Sequence, residues 1–375
     1  MKKITFLMLH LNYGGLEKQT VTLINELAKT NDFEIEVICV YDILGKSFYD
    51  IDSKVKIKYL IPYGPNKKEI KYCVESKKYF KLVSQLSRGV SIVLLKYYLM
   101  KKEIQKCKTD YIFSTRIEFS RLIKRTDTIN ISQEHSYIDT DKYIKKVGSS
   151  FNNIDYLVVM TDKAKENYCK WISNNKTEVV VIPNMIEKND KYISSCENKK
   201  IISVGRLEDV KNFSLLIDIF YQIVTEHKNN GWTLSIIGSG SLKKELEEKI
   251  EVLNLKDKVE LIENIPIEMV YKKLSESSIF VLTSKSESFS LVLCEAMDVG
   301  LPVVSFDIDA GPREIINDSQ NGYLIENRQS KEMTNKILSL IDNSKSRKQM
   351  GTNAKQSIAK YYSSNIIKKW LEVLK

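Results

Sequence analysis

The chain has few of the residues that mark a metal centre or a disulfide framework. Among its 375 residues are three histidines (His10, His135 and His227) and six cysteines, none in C-x-x-C or another metal-ligand spacing. Scattered cysteines of this kind predict reduced thiols in a cytoplasmic protein. A G-x-G-x-x-G loop is missing, which argues against a dinucleotide-dependent dehydrogenase.

Long apolar runs are also missing. The longest, such as VSIVLL and YLVVM, are far too short to span a bilayer. The opening MKKITFLML is followed by Gly14-Gly15 and an amphipathic pattern, without a small-residue cleavage site. That context favours a buried first strand over a secretion signal.

Positive charge is present in excess, but only in the first half. Residues 1–185 carry 31 Lys and Arg against 21 Asp and Glu, whereas residues 186–375 carry 27 of each. Residues 54–108 alone have 15 basic residues against three glutamates, interleaved with apolar and aromatic residues. This segment predicts contact with anionic lipid headgroups. A lysine-rich solvated helix is the alternative.

Short apolar runs alternate with helical patterns along the whole chain, which predicts α/β architecture with parallel sheets. The first half has seven such runs and the second half six. The polar stretch 186–200 lies between the two sets and is the predicted linker. At this length two domains are expected.

Two glutamates bracket the most informative segment. Glu287 and Glu295 are eight positions apart in ESFSLVLCE, between a strand-like run and a helical pattern. Glu287 is therefore expected in a strand-to-helix turn, and Glu295 about two helical turns later. Backbone N–H groups of Ser288, Phe289 and Ser290 in that turn would be unpaired and could seat a diphosphate.

This order of acid, amides and acid resembles the E-x7-E signature of retaining glycosyltransferases of family 4. The resemblance is carried over residues 201–325 by VGRL with KNF, the two glutamates, and GPREII, in that order. It implies the GT-B fold, in which two Rossmann-like domains face a central cleft and a C-terminal helix crosses back. The expected domains are an acceptor domain, 1–185 with helix 360–375, and a nucleotide-sugar domain, 186–359.

The same resemblance assigns roles in the second half. Arg206 and Lys211 would hold the donor diphosphate, whose growing negative charge needs fixed positive partners. Glu287 would contact the transferred sugar and Glu295 the ribose hydroxyls, because carboxylates accept hydrogen bonds from diols. Other expected donor-pocket residues are Ser288, Phe289, Ser290, Asn184 and Gly238, with a base pocket near Glu263-Asn264-Ile265.

In the first half, Gly14 and Gly15 would let the backbone approach a ligand closely. The resemblance places this loop opposite the reacting sugar and the acceptor; a tight turn without a ligand is the alternative. His135 follows a strand-like run, where open parallel sheets place ligands. A histidine here contacts the donor sugar in the resembling family, so His135 joins Glu287 as a predicted catalytic residue, with Glu134 a neighbouring candidate.

Asp307-Ile308-Asp309 imitates the D-x-D metal motif of other glycosyltransferases. Its surroundings, SFDIDAGPREII, instead match a loop of family 4. We therefore expect no metal and no other cofactor, with Arg206 and Lys211 in place of a metal.

The sequence thus predicts a retaining hexosyltransferase that moves sugar from a UDP-sugar to a glycan or polyprenyl-diphosphate-linked acceptor in surface polysaccharide synthesis, such as capsule. It would be cytoplasmic and peripheral at the inner face of the plasma membrane. A GT-B sugar phosphorylase or epimerase, and a non-catalytic partner subunit, are the alternatives. Nucleic-acid binding is disfavoured because the charge excess is confined to one half and no recognisable motif accompanies it.

Overall fold

The computed structural model describes residues 1–375 except 44, 46, 136–140, 173–175, 227–230, 264 and 309. The chain divides into two compact units: Met1–Ile182 with Trp370–Lys375, and Pro183–Lys369. The observed division follows Ile182, where we expected it after residue 185. The returning segment begins at Trp370, where we expected residue 360.

The first unit is built on a seven-stranded parallel sheet in the order β3-β2-β1-β4-β5-β6-β7. Its inner strands are largely apolar and buried, because helices cover both faces of a parallel sheet, whereas the two edge strands are partly exposed. They are β1 (Lys2–Met8), β2 (Phe33–Tyr41), β3 (Lys56–Ile61), β4 (Tyr111–Ser114), β5 (Ile129–Gln133), β6 (Tyr156–Val159) and β7 (Glu178–Val181). The helices are α1 (Gly15–Thr30), α2 (Lys67–Glu75), α3 (Tyr79–Lys106), α4 (Ile117–Ser120), α5 (Asp141–Gly148) and α6 (Asp162–Trp171).

The second unit repeats the design with six parallel strands in the order β10-β9-β8-β11-β12-β13. The strands are β8 (Lys200–Val204), β9 (Thr233–Ile237), β10 (Val259–Ile262), β11 (Ile279–Leu282), β12 (Val303–Asp307) and β13 (Gly322–Glu326). The helices are α7 (Phe213–Glu226), α8 (Lys243–Val252), α9 (Ile267–Ser275), α10 (Leu291–Asp298), α11 (Pro312–Ile315), α12 (Ser330–Asp342) and α13 (Ser344–Ser357). Helix α14 (Ser363–Val373) begins in this unit, and its residues from Trp370 onward belong to the first unit. All thirteen apolar runs predicted as strands are strands.

In each sheet the strand order reverses beside the first strand. β1 lies between β2 and β4, and β8 lies between β9 and β11. The loops that leave the carboxyl ends of these neighbours diverge to opposite faces of the sheet, and ligands of open α/β sheets bind at such a point. The fold thus predicts one binding edge in each unit.

The polar stretch expected as a linker is packed against the second unit, so that prediction was wrong. The Ser194 N–H donates to the Val299 carbonyl at 2.9 Å, and the Asn189 N–H donates to the Asp298 carboxylate at 2.8 Å. Cys196 is buried. Low apolar content misled the prediction because this segment is held by hydrogen bonds instead of a hydrophobic face.

The chain end belongs to the first unit through specific contacts. The Trp370 ring lies 5.2 Å from that of Phe113, and the Tyr111 hydroxyl donates to the Leu374 carbonyl at 2.7 Å. Trp370 and Leu374 are both buried, as their amphipathic spacing predicts. Among the described residues, no helix combines the length and apolar composition needed to cross a bilayer.

Candidate active site

Two loops meet at the carboxyl ends of β8 and β9. The Gly205 N–H donates to the Ile237 carbonyl and the Leu207 N–H to the Ser239 carbonyl, both at 2.9 Å. The Leu242 N–H donates back to the Leu207 carbonyl at 3.0 Å. The backbone that presents Arg206 is therefore fixed from both sides by the loop that follows β9.

Glycine is required in the second of these loops. A Cβ on Gly238 would lie 1.8 Å from the Gly205 carbonyl oxygen, and one on Gly240 would lie 2.3 Å from that of Leu207. Atoms cannot approach so closely, so any side chain would push the two loops apart. Gly238 was predicted as a donor-pocket residue, and its observed role is to permit this backbone contact.

Lys211 and Glu287 are brought together from 76 positions apart. The Lys211 Nζ lies 2.5 Å from Glu287 Oε1, and the Ser284 hydroxyl donates to the same oxygen at 2.7 Å. Both charged side chains are largely buried, and the Lys211 stem lies against Gly205. A buried, hydrogen-bonded ion pair of this kind holds both groups in a defined position.

Arg206 is different, because its side chain is exposed and pairs with no carboxylate in the described part of the chain. Neighbouring Glu208 accepts from the Ser241 N–H at 3.0 Å and from its hydroxyl at 2.8 Å. Those two bonds lower the pKa of Glu208, and Arg206 adds a smaller contribution. Arg206 is thus a cation without a carboxylate partner among the described residues, five positions before Lys211 in the chain.

The turn between β11 and α10 provides unpaired donors. Ser290 adopts a left-handed conformation (φ 65°), and its hydroxyl is buried without a partner among the described residues. Within the same described residues, nothing accepts a hydrogen bond from the N–H groups of Phe289, Ser290, Leu291 or Val292. Ser288 forms an interaction with another residue, so its N–H group is not counted among these donors. The start of α10 therefore offers several amides to an anion.

A third loop closes against this turn. A Cβ on Gly311, whose φ is 70°, would lie 3.2 Å from the Phe289 carbonyl carbon and 3.2 Å from the Glu287 Cβ. The first residue of the GPREII segment thus packs directly against the turn that carries Glu287 and Phe289. This contact explains in structural terms why the motif accompanies the two glutamates.

Glu295 lies on α10 and is buried with a partner. Burial, followed by the negative charge of Glu295, raises the pKa of Tyr271 on α9, which places the carboxylate near that ring. Asn184 is also buried, and its Oδ1 has no partner among the described residues. An unpartnered buried amide oxygen is a candidate acceptor for a ligand hydroxyl.

At the expected base pocket, Lys243 Nζ lies 2.5 Å from a carboxylate oxygen of Glu263. Asn264, the next residue of that prediction, lies outside the described residues, as do Asp309 and His227. Asp307, the first aspartate of the D-x-D look-alike, accepts hydrogen bonds from the Nε and Nη2 atoms of Arg313 at 2.8 and 2.7 Å. Over the described ranges, no three His, Cys, Asp or Glu side chains are grouped to hold a metal.

In the first unit, Gly14 lies directly before α1, and Gly15 is the first residue of that helix. The Tyr49 hydroxyl accepts from the Gly14 N–H at 3.2 Å and donates to the Gly14 carbonyl at 3.0 Å. A Cβ on Gly14 would overlap the Glu17 carboxylate at 2.1 Å, whereas one on Gly15 would meet nothing within 4 Å. Only Gly14 is therefore explained by packing.

Sequence reasoning missed Glu17 and Arg116. Glu17 is buried, and its Oε1 lies 3.5 Å from His10 Nδ1 and 3.6 Å from an Arg116 terminal nitrogen. The cluster assembles at the carboxyl ends of β1 and β4 and the start of α1. A glutamate two positions after Gly14-Gly15 was the available signal, since carboxylates favour the first turn of a helix.

His135 lies just beyond β5, at the same edge. Its Nε2 and the Arg116 Nε are shielded from solvent and have no partner among the described residues. Burial, and then the positive charge of Arg116, lower the pKa of His135 to about 3. The imidazole is therefore neutral near pH 7, and its open nitrogen suits hydrogen bonding to a ligand.

The second unit is similar to a known protein family. Residues 184–357 match the family "Glycosyl transferases group 1". The second unit carries a glycosyl transferases group 1 domain. The matched range contains all of the residues predicted above for the nucleotide-sugar domain, from Asn184 to Glu295.

Curated relatives extend over the whole chain. An uncharacterized glycosyltransferase of Haemophilus influenzae is 27% identical, with 100% of both chains covered. The amylovoran biosynthesis glycosyltransferase AmsD of Erwinia amylovora is 27% identical, over 97% of this chain and 96% of its own. A Campylobacter jejuni α-1,4-N-acetyl-D-galactosaminyltransferase that acts on a diphospho-undecaprenol-linked glycan is 25% identical, over 100% and 98%.

Solved structures share the fold. Staphylococcus aureus TarM, in a mutant complex with Fondaparinux, alpha-GlcNAc-glycerol and UDP, has a TM-score of 0.78 at 20% identity and full coverage of both chains. Anabaena HepE in complex with UDP and glucose has a TM-score of 0.74 at 16% identity, over 100% and 99%. The chain therefore has the predicted GT-B fold of two parallel-sheet α/β domains.

Proposed function

We propose that the chain is a retaining, metal-independent glycosyltransferase that uses a UDP-sugar. The observation that carries the proposal is the buried Lys211–Glu287 pair beside the open amides at the start of α10. One cation, one carboxylate and several N–H donors in one unit suit a diphosphate joined to a sugar. UDP bound to the structural relatives TarM and HepE supports the choice of nucleotide.

Each group has a task in this proposal. Lys211 and Arg206 neutralise the charge that develops on the leaving diphosphate, and the N–H groups of Phe289 and Ser290 bind its oxygens. Glu287 accepts hydrogen bonds from hydroxyls of the transferred sugar, and Glu295 accepts them from the ribose. At the binding edge of the first unit, the neutral imidazole of His135 forms a hydrogen bond with a sugar hydroxyl in this proposal.

The proposed reaction breaks the bond between the anomeric carbon and the phosphate oxygen, and UDP leaves with the electron pair. The acceptor hydroxyl attacks the same face of the sugar, so the anomeric configuration is retained. Its proton passes to the departing phosphate oxygen, which becomes basic as the bond breaks. The cations needed for this step are protein side chains, so no metal is required.

The acceptor is proposed from the relatives. AmsD belongs to polysaccharide biosynthesis, and the Campylobacter enzyme acts on a glycan linked to diphospho-undecaprenol. A glycan on a polyprenyl diphosphate, assembled into a surface polysaccharide, is therefore the proposed substrate class. The basic first half would bring the enzyme to the anionic membrane in which such an acceptor is anchored.

A screen of nucleotide sugars for thermal stabilisation tests the donor, because a ligand that binds only the folded state raises its Tm. UDP-sugars should stabilise the parent but stabilise Arg206→Ala less, with Lys244→Ala, an exposed lysine on α8, as the control. Stabilisation by another nucleotide alone would overturn the UDP assignment.

Sugar transfer is then tested with the nucleotide sugar that gives the largest stabilisation in this screen. UDP should be released faster when acceptor is added, with EDTA present, and the product should keep the donor's anomeric configuration by NMR. An inverted product, or loss of activity with EDTA, would contradict the mechanism. Phosphate-dependent release of sugar phosphate would favour a phosphorylase, and failure of UDP to bind in calorimetry would favour a non-catalytic subunit.

A further inference from the structure

One face of α3 is apolar and exposed to solvent. Five large hydrophobic side chains recur on it at intervals of three or four residues, and a sixth directly follows the last of them, so that together they form a single row along the helix. We call this row the α3 stripe; its members are Tyr79, Val83, Leu86, Val90, Val93 and Leu94. Phe80, at 97% exposed, flanks its first turn. A contiguous apolar surface of this kind marks an interaction site.

The fold uses the other side of the helix. The buried residues of α3 are Ile92, Lys96, Met100 and Ile104, all from the middle of the helix onward. In the first half, Asn66 beside α2 donates from Nδ2 to both the backbone carbonyl and the side-chain oxygen of Gln85, each at 2.8 Å. These contacts orient the helix, and they leave the α3 stripe free of any role in the core.

The charge around the stripe has one sign. Between Glu75 and Glu103 the sequence contains no acidic residue and seven basic ones, Lys77, Lys78, Lys81, Arg88, Lys96, Lys101 and Lys102. Lys96 is paired with Glu118 at 2.7 Å, so the others supply the surface charge. An apolar row with basic residues on its flanks matches a helix that lies in the interface of an anionic bilayer.

We propose that α3 binds the membrane by inserting its stripe among the acyl chains, while the flanking lysines reach anionic headgroups. The proposal deepens the proposed function, because it rests on the membrane association included there and names the element responsible. Tyr79 sits near the headgroups, where an amphipathic ring is favourable. A second copy of the chain is a poorer occupant, because two such faces would oppose like charges.

Vesicle flotation separates insertion from simple electrostatic attraction. The parent should float with vesicles of phosphatidylglycerol and phosphatidylcholine, and part of this binding should survive about 0.5 M salt, which screens surface charge. Changing Val83, Val90 and Leu94 together to Ser should weaken partitioning about tenfold or more, because apolar area no longer enters the bilayer. A matched triple in the second unit, Ile193, Tyr221 and Val252 to Ser, also removes exposed apolar side chains and should float like the parent.

Fluorescence reports insertion directly. Val83→Trp on the stripe and Val252→Trp on α8 replace valines of similar exposure, 67% and 77%. The emission that Val83→Trp adds to the parent spectrum should shift to the blue on vesicles and be quenched by brominated acyl chains. The emission added by Val252→Trp should do neither.

Three results would overturn the proposal. One is flotation of the stripe variant that equals the parent's, and another is failure of the parent to bind vesicles. The third is a dimer in sedimentation velocity that the stripe variant dissolves, which would make a second copy the occupant. UDP release with a soluble acceptor, assayed without vesicles, should be unchanged in the stripe variant; its absence in the parent would count against the proposed function alone.

Discussion

The two units build the same edge of the same kind of sheet by different means. In the second unit the site is set by backbone: glycines at 238, 240 and 311 let three loops touch, and Lys211 is then held 2.5 Å from Glu287. In the first unit the edge is set by side chains, with Glu17 buried at 3.5 and 3.6 Å from His10 and Arg116. A backbone-built site leaves a motif in the sequence, whereas a side-chain-built site leaves almost none.

The largest effect is expected when one glycine in each unit is replaced by alanine. Gly238→Ala should destabilise the protein by about 3 kcal/mol or more, because the new Cβ meets a carbonyl oxygen that cannot move cheaply. Gly15→Ala should change the free energy of unfolding by less than about 0.5 kcal/mol, because the added Cβ meets nothing. Urea unfolding of both variants measures this. Equal effects would remove the contrast between the units.

A second test removes the buried cation of the second unit. Lys211→Ala should lower kcat/KM for the donor about 10²–10³-fold, the usual cost of losing a group that stabilises developing charge. Lys244→Ala, which removes an exposed lysine in the same unit, should keep parental kinetics. Parental turnover in Lys211→Ala would show that the pair with Glu287 is only structural.

The corresponding change in the first unit is Glu17→Gln. It should lower the free energy of unfolding by about 1–3 kcal/mol, because the Arg116 guanidinium loses its buried charged partner. Glu75→Gln, an exposed glutamate on α2, should change stability by less than about 0.5 kcal/mol. If thermal and urea unfolding do not distinguish the two variants, the Glu17 cluster does not organise this edge.

The smallest expected effect is a pH dependence at His135. Its pKa falls from 6.5 in the unfolded chain to about 3 when folded. Between these values only the unfolded chain takes up the proton, so the free energy of unfolding falls as the pH drops below 6.5. The slope contributed is at most about 1.4 kcal/mol per pH unit. His135→Gln should lose that contribution when unfolding is compared at pH 7 and pH 5; an unchanged slope would contradict the assignment.

The sequence was sufficient for the strands, because each is a short apolar run bounded by polar residues. It also placed Glu287 in the strand-to-helix turn where it lies, since the motif is local. Glu17 and Arg116 could not be paired in advance, because they are 99 positions apart in the chain and only the adjacency of β1 and β4 brings them together. The packed segment around Ser194 was predicted as a linker because its composition is polar. Its hydrogen bonds join it to residues more than 100 positions later in the chain, so no local pattern indicates them.

Two features of Ser290 are energetically unfavourable: its backbone conformation and its buried hydroxyl. A serine with φ of 65° is strained relative to glycine, and its buried hydroxyl forms no bond within the described residues. The left-handed backbone conformation of Ser290 therefore costs free energy, on the order of 1 kcal/mol. Ser290→Gly should relax that strain and raise the Tm of the unliganded protein, while the rise in Tm on saturation with the nucleotide becomes smaller. The rise becomes smaller because the glycine variant lacks the buried hydroxyl that a bound nucleotide would pair with, so this side chain couples ligand occupancy to the stability of the domain.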